Sequence, residues 1–235
     1  MIYKEKIFLG ITINFLLVLG VLSHSNYLKR NNYELNIFFA EDKSNFLNDS
    51  LVNKLLIQKI NNASKQSNLK LDLMELEFFL ESLPEVHNAE VYSYIEGDLN
   101  AMIYESTALL RIQNEGFYLD VFGDKIPFSD NYTPKVPIYS GVLGDKKTPE
   151  LIRLSNLINR DNYLKKEFVE IWDEKSGFTI RLRNHDFEIF WGHVNNNKEK
   201  IDKLKAFCAY LINNKVNKKL KRIDLTIQDQ IVSIH

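Results

Sequence analysis

An apolar segment close to the N-terminus constrains this chain more than any other feature. It runs from Ile7 to Leu22, and the long sequence that follows it mixes polar, charged and apolar residues as globular domains do. At ~1.5 Å per residue, a helix over this segment is roughly 24 Å long, slightly shorter than the ~30 Å hydrocarbon core of a bilayer. The segment predicts one transmembrane helix over residues 7–23, which holds the rest of the chain at a membrane surface.

The predicted anchor has apolar side chains along its whole length. They are Ile7, Phe8, Leu9, Ile11, Ile13, Phe15, Leu16, Leu17, Val18, Leu19, Val21 and Leu22. Tyr3 and Tyr27 flank the segment as interfacial aromatic residues do, and Lys4 and Lys6 can reach the headgroups. A cleaved signal peptide is the alternative, because Val21-Leu22-Ser23 resembles a cleavage site. Apolar regions of signal peptides usually span ~7–15 residues, which favours a retained anchor.

The orientation of the anchor does not follow from charge, because lysine and arginine residues lie on both sides of it. The shortness of the tail, residues 1–6, and the size of the remainder favour a cytoplasmic N-terminus with the remainder outside. Residues 24–33 are polar and predict a short spacer.

Composition excludes several classes of protein. The 30 basic and 31 acidic residues make the chain nearly neutral, whereas nucleic-acid-binding domains carry a basic face. The single cysteine, Cys208, excludes an internal disulfide and a multi-cysteine metal site. Cys208 shares a helical face with Leu204 and Leu211, so its side chain is predicted to be buried.

Residues 34–106 predict a compact α+β unit with the order β-α-α-β-β. Asp72 followed by Glu75 resembles a capping box at the start of the second helix, and Pro84 ends that helix. An Asn- and Ser-rich stretch at 61–68 predicts a loop between the helices. The predicted elements are a strand at 34–39, helices at 49–60 and 73–83, and strands at 89–95 and 99–104.

Residues 107–235 predict a mixed β-domain with flanking helices, because strand patterns alternate here with Gly and Pro. Ile223, Leu225 and Ile227 alternate with polar residues, as in a strand with one buried face. The predicted strands are 109–113, 117–121, 167–173, 177–183, 186–191, 222–228 and 230–235, and the predicted helices are 148–159 and 196–214.

Several motifs in both regions match one known pattern. In the first region they are Leu80…Leu83-Pro84-x-Val86 and Leu99-x-x-x-Ile103-x-Glu105. The more specific ones are Leu109-x-Arg111-Ile112, Gly116-Phe-Tyr-Leu-Asp120-x-x-Gly123, Ile126-Pro127-Phe128-Ser129 and Val136-Pro137-Ile138-Tyr139-Ser140-Gly141. In this order they resemble the bacterial cell-division family FtsQ, called DivIB in Gram-positive bacteria, and most of all its Bacteroidetes form. One departure is Thr107, where the family commonly has a proline.

The resemblance implies a POTRA domain at 34–106 and an FtsQ-type β-domain at 107–235. It implies a bitopic scaffold in the cell inner membrane, with periplasmic domains at the division septum and partners of the FtsB and FtsL type. In the family, the end of the β-domain takes up a partner strand, and an unpaired sheet edge suits this role. Residues 99–104 are expected to be the contact edge of the POTRA domain. The candidate docking residues are Arg222, Ile223, Leu225, Ile227, Gln230, Ile231, Val232 and Ile234.

Catalytic, metal and cofactor motifs are absent from the sequence, so no cofactor is expected and an enzyme is disfavoured. Asp120 and Asp124 are the carboxylates whose spacing would let them meet at one site, but a turn at Gly123 explains them better. Trp172 and Trp191 fit a core or a sheet surface better than a ligand platform. Two alternatives to the scaffold remain: a POTRA protein that assists outer-membrane protein assembly or secretion, and an enzyme of unknown chemistry.

Overall fold

The computed structural model describes residues 2–29, 35–41, 46–66, 72–94, 98–214 and 220–234. The chain divides into two compact units, Met1–Glu105 and Ser106–His235. Both units contain helices together with a sheet that mixes parallel and antiparallel strand pairs, so the predicted α+β class is confirmed.

The first helix, α1 (Ile2–Lys29), contains the predicted anchor and extends beyond both of its ends. Large apolar side chains between Ile11 and Leu22 are exposed by 45–69 %. The side chains of Ile7, Phe8 and Leu9 lie outside the described residues. Within the described part of the chain, no helix combines the length and the apolar character that a membrane span requires. The anchor therefore stays a prediction.

The remainder of the first unit has the predicted order of elements. They are β1 (Leu35–Phe39), α2 (Asp49–Gln66), α3 (Leu73–Glu81), β2 (Val86–Ser93) and β3 (Leu99–Glu105). The strands form a sheet of order β1-β3-β2, in which β1 is parallel and β2 antiparallel to β3. Leu56 of α2 and Leu80 of α3 share one buried core with Ala101 and Ile103 of β3.

Local side-chain chemistry explains where these helices begin and end. Asp72 caps α3 because its carboxylate accepts the N–H groups of Met74 and Glu75. Glu75 pairs with Lys59 at 2.7 Å, so only half of the predicted capping box is formed. Helix α2 continues to Gln66 through part of the predicted loop, because adding a residue to an existing helix costs much less than starting one.

The predicted contact edge at residues 99–104 is wrong. These residues form β3, which is hydrogen-bonded to β1 on one side and to β2 on the other. Both rows of backbone groups are therefore already used, and the edges of this sheet are β1 and β2.

The second unit is built on one nine-stranded sheet of order β12-β11-β10-β9-β8-β7-β4-β5-β6. Its strands are β4 (Ala108–Ile112), β5 (Phe117–Asp120), β6 (Lys125–Pro127), β7 (Ile138–Tyr139), β8 (Phe168–Glu174), β9 (Gly177–Leu182), β10 (Glu188–Gly192), β11 (Arg222–Asp224) and β12 (Val232–Ile234). Its helices are α4 (Thr148–Arg160), α5 (Leu164–Glu167) and α6 (Asn197–Asn214).

Helices α4 and α6 contribute to the core of this unit. Leu151 and Leu154 of α4 and Leu204 of α6 are fully buried in the same cluster as Trp191 of β10. Cys208 belongs to this cluster and is 1 % exposed, which confirms its predicted burial.

One glycine of the sheet has no room for a side chain. Gly177 begins β9 with a φ of +131°, which L-residues rarely adopt. A Cβ atom there would lie 2.1 Å from the carbonyl carbon of Gly192 in β10. The backbones of β9 and β10 therefore meet at a spacing that only glycine permits.

We predict that Gly177→Ala lowers the free energy of unfolding by about 2 kcal/mol or more, because it adds backbone strain and a clash with β10. The control is Gly144→Ala, since a Cβ at Gly144 would have no described atom within 4 Å beyond those of the glycine and its two chain neighbours. That change should stay within about 0.5 kcal/mol of the wild type. Urea unfolding followed by tryptophan fluorescence measures both, and equal effects of the two variants would contradict the packing described.

Candidate functional site

Strand β12 forms one edge of the nine-stranded sheet. It pairs with β11 in antiparallel register, with Ser233 opposite Ile223, and no described strand pairs with its outer side. All three of its residues are exposed, Val232 by 43 % and Ile234 by 54 %. Its outer backbone groups can therefore take up another strand.

The opposite edge of the sheet, β6, is chemically different. It consists of Lys125, Ile126 and Pro127. Proline lacks the N–H group that a ladder needs, and a lysine on an edge strand disfavours further pairing. Strand β12 carries Val, Ser and Ile instead, so it is the less protected of the two edges.

Strand β11 is fixed in the core beneath this edge. The side chains of Ile223 and Leu225 are fully buried in the main hydrophobic cluster of the unit. Of the candidate docking residues, these two therefore present no side-chain surface to a partner in the folded sheet, and their burial holds β11 in place.

Arg222 is also engaged within the fold. Its Nη1 and Nη2 atoms donate to the two carboxylate oxygens of Glu174, both at 2.9 Å, and its guanidinium lies 4.7 Å from the Phe190 ring centroid. The hydrogen bonds from Arg222 lower the pKa of the Glu174 carboxyl, which keeps the pair ionised. Bidentate pairs of this kind fix geometry as well as adding energy, so Arg222 joins β11 to the end of β8.

The two closing strands are shorter than predicted, because residues 225–231 form the connection between β11 and β12. Asp224 Oδ1 accepts the N–H and the hydroxyl of Thr226, which turns the chain away from the extended path. Ile227 and Gln230 are exposed in this connection, and Ile231 is partly buried against the core. The predicted alternation therefore ends at Leu225.

Helix α6 contacts this connection through two residues that the sequence did not single out. Lys203 Nζ donates to the carbonyl oxygens of Leu225 at 3.0 Å and Ile227 at 2.6 Å. Glu199 pairs with Lys203 at 3.0 Å and accepts the N–H of Asp229 at 3.2 Å. The i,i+4 spacing of the two side chains is visible in the sequence, but their contact with a turn more than twenty residues away is not.

An open groove of about 900 Å³ lies beside β12. Its lining includes Ile234, Leu220, Arg183 and His185, and thus mixes apolar with polar groups. Burial lowers the pKa of the His185 imidazole, so this side chain is neutral at pH 7. Because Ile234 belongs both to β12 and to the groove, the groove and the exposed edge form one continuous surface.

The remaining candidates have structural positions. Asp120 is buried, and its Oδ1 accepts the N–H groups of Phe122, Gly123 and Asp124 at 2.8–2.9 Å, so it closes the predicted turn. Trp191 is fully buried and donates its indole N–H to Asn197. Trp172 is half-buried under the guanidinium of Arg181. None of these three residues is placed as a ligand platform.

Comparison with known proteins gives one assignment. The family model described as FtsQ/DivIB, C-terminal related, matches residues 107–234 of the 235-residue chain, which is more than half of it. No curated protein matches the chain. The match covers all nine strands of the large sheet, including the β11–β12 pair. The chain therefore belongs to the FtsQ/DivIB, C-terminal related family, whose role is in cell division.

Proposed function

We propose that this protein is a membrane-tethered, non-enzymatic scaffold of the bacterial division machinery, and that a partner adds a strand to β12. The observation that carries the proposal is the exposed edge Val232–Ile234, which has no charge or proline to block pairing. The partners we infer are the FtsB and FtsL type of division protein. The groove beside Ile234 offers them further contact area.

The strength of this docking follows from the size of the edge. A three-residue strand offers few backbone hydrogen bonds, each contributing about 1 kcal/mol net. Val232 and Ile234 add apolar contact, but association itself costs at least about 4 kcal/mol. Docking at β12 alone is therefore weak. Attachment of both proteins to one membrane raises their effective concentration to the millimolar range and offsets this weakness.

Attachment through α1 is the second part of the proposal. The exposed apolar side chains from Ile11 to Leu22 support it, because a water-exposed helix of this composition is unfavourable. In the proposed arrangement α1 crosses the inner membrane, the N-terminus is cytoplasmic and both units lie in the periplasm at the septum. The first unit then contributes a POTRA-type domain, whose β-α-α-β-β order it has.

We predict that the double variant Val232→Lys, Ile234→Lys loses capture of the FtsB-type protein of its source by at least tenfold. Charged lysines on an edge strand oppose the approach of a further strand. The variant should also cause filamentation when it replaces the wild type in dividing cells. Co-purification from solubilised membranes and cell-length distributions measure the two effects.

The matched control is Val142→Lys with Ile212→Lys, because these residues are also exposed, by 78 % and 66 %, and belong neither to β12 nor to the lining of the groove beside it. Both double variants should melt within a few degrees of the wild type. The proposal would be contradicted if the β12 variant captured the FtsB-type protein as well as the wild type does, or if the control variant lost capture to the same extent. Deletion from Arg222 onward is a poor test, since it removes the buried Ile223 and Leu225.

We predict that the full chain stays with the membrane pellet after alkaline carbonate extraction, because α1 buries its apolar side chains in lipid. The variant Leu16→Lys with Leu17→Lys should be released, since two charges in the middle of the segment oppose insertion. External protease should degrade both units in spheroplasts. A carbonate-soluble wild type, or units protected from protease in intact spheroplasts, would refute the proposed topology.

A further inference from the structure

The connection between β11 and β12 is held from one side by a charged pair on helix α6. Lys203 reaches two carbonyl oxygens of the connection, those of Leu225 and Ile227, and its side chain is only 14 % exposed. Glu199 joins the same cluster by pairing with Lys203 and accepting the Asp229 N–H. We call Lys203 and Glu199 the α6 clamp.

The helix that carries the clamp is itself firmly seated. Leu204 and Cys208 of α6 are buried in the core. At its N-terminal end, the buried Lys200 donates to the His193 carbonyl at 2.8 Å and to Asn195 Oδ1 at 3.0 Å. The clamp is therefore attached to a fixed part of the unit.

Strand β12 has few other supports. It is three residues long, each of its residues is exposed, and its described ladder partner is β11 alone. The chain enters it through Asp229, whose φ of +53° is unusual for a non-glycine residue. The conformation of residues 225–231 therefore determines where β12 begins and how stably it pairs with β11.

We propose that Lys203 and Glu199 are positioning residues for partner docking. By fixing the β11–β12 connection, they present β12 as a preformed edge, so that a partner does not bear the entropic cost of ordering it. The inference rests on the proposed docking at β12 and adds the residues that prepare that edge. Because Lys203 contacts the connection through polar groups, a substitution of Lys203 can remove these contacts without leaving a cavity in the hydrophobic core.

The test is hydrogen–deuterium exchange of the full-length protein in detergent, comparing wild type with Lys203→Met. Methionine keeps an unbranched apolar stem and removes the ammonium group. The control is Lys198→Met, an exposed lysine of the same helix whose side chain makes no hydrogen bond or ion pair within the described residues. Lys203→Arg keeps the charge and should restore part of the wild-type behaviour.

We expect Lys203→Met to raise amide exchange in residues 225–234 at least tenfold and to leave strands β8 and β9 unchanged. Capture of the FtsB-type partner should fall at least threefold, while Lys198→Met changes neither quantity. Unchanged exchange in 225–234, or a uniform rise over the whole unit, would overturn the inference.

The exchange and capture measurements separate this inference from the proposed function. If exchange rises locally but capture stays normal, while the Val232→Lys, Ile234→Lys variant still abolishes capture, docking at β12 stands and the positioning role is overturned. If that edge variant also captures the partner normally, the proposed function fails and the positioning role fails with it.

Discussion

The burial of Ile223 and Leu225 is the interaction on which the exposed β12 edge depends. These two side chains, fully buried beside Trp191 and Leu204, fix β11 parallel to β10 at the end of a long sheet. Burying a side chain of this size contributes about 2 kcal/mol each, so β11 does not detach without disturbing the core. Strand β12 lies on this fixed strand and adds little burial of its own. The sheet therefore ends in a firm strand followed by an exposed one, which is the arrangement that a strand-adding partner requires.

The two edges of the nine-stranded sheet differ in their chemistry, as the proposed docking at one edge requires. At the β6 edge, Lys125 and Pro127 disfavour pairing with other chains. At the β12 edge, the protecting residues are missing and apolar side chains face solvent. An open edge carries a risk of aggregation, and its short length limits that risk. The same shortness would make the proposed docking weak, so the proposal needs both the membrane tether and the adjoining groove.

Sequence patterns were sufficient where local chemistry decides the structure. Asp72 caps its helix and the Asp120–Gly123 turn forms, both from interactions within a few residues. The helical spacing of Cys208 with Leu204 likewise showed which face of α6 is buried. The patterns failed where distant parts of the chain decide. The parallel pairing of β1 with β3 places residues 99–104 in the middle of their sheet, and no local feature of 99–104 reveals this. The strand predicted at 222–228 ends early where Asp224 accepts the N–H and hydroxyl of Thr226. Lys203 then binds the carbonyls of Leu225 and Ile227, a contact across more than twenty residues that no local pattern shows. Among the candidate docking residues, the structure shows that Ile223 and Leu225 are buried whereas Val232 and Ile234 are exposed. Strand alternation alone could not make this distinction, because it does not say which face of a strand is open to a partner.

The most direct test of docking at β12 is site-specific photo-cross-linking in dividing cells of the source organism. A photoreactive residue in place of Ser233, the middle residue of β12, samples the surroundings of this edge, and the same residue in place of Lys125 samples the opposite edge. The account predicts an adduct between position 233 and a membrane-bound division protein of the FtsB type, enriched in cells that are constricting, with no such adduct from position 125. Equal adducts from both edges, or none from position 233 while the protein is folded and at the septum, would contradict it.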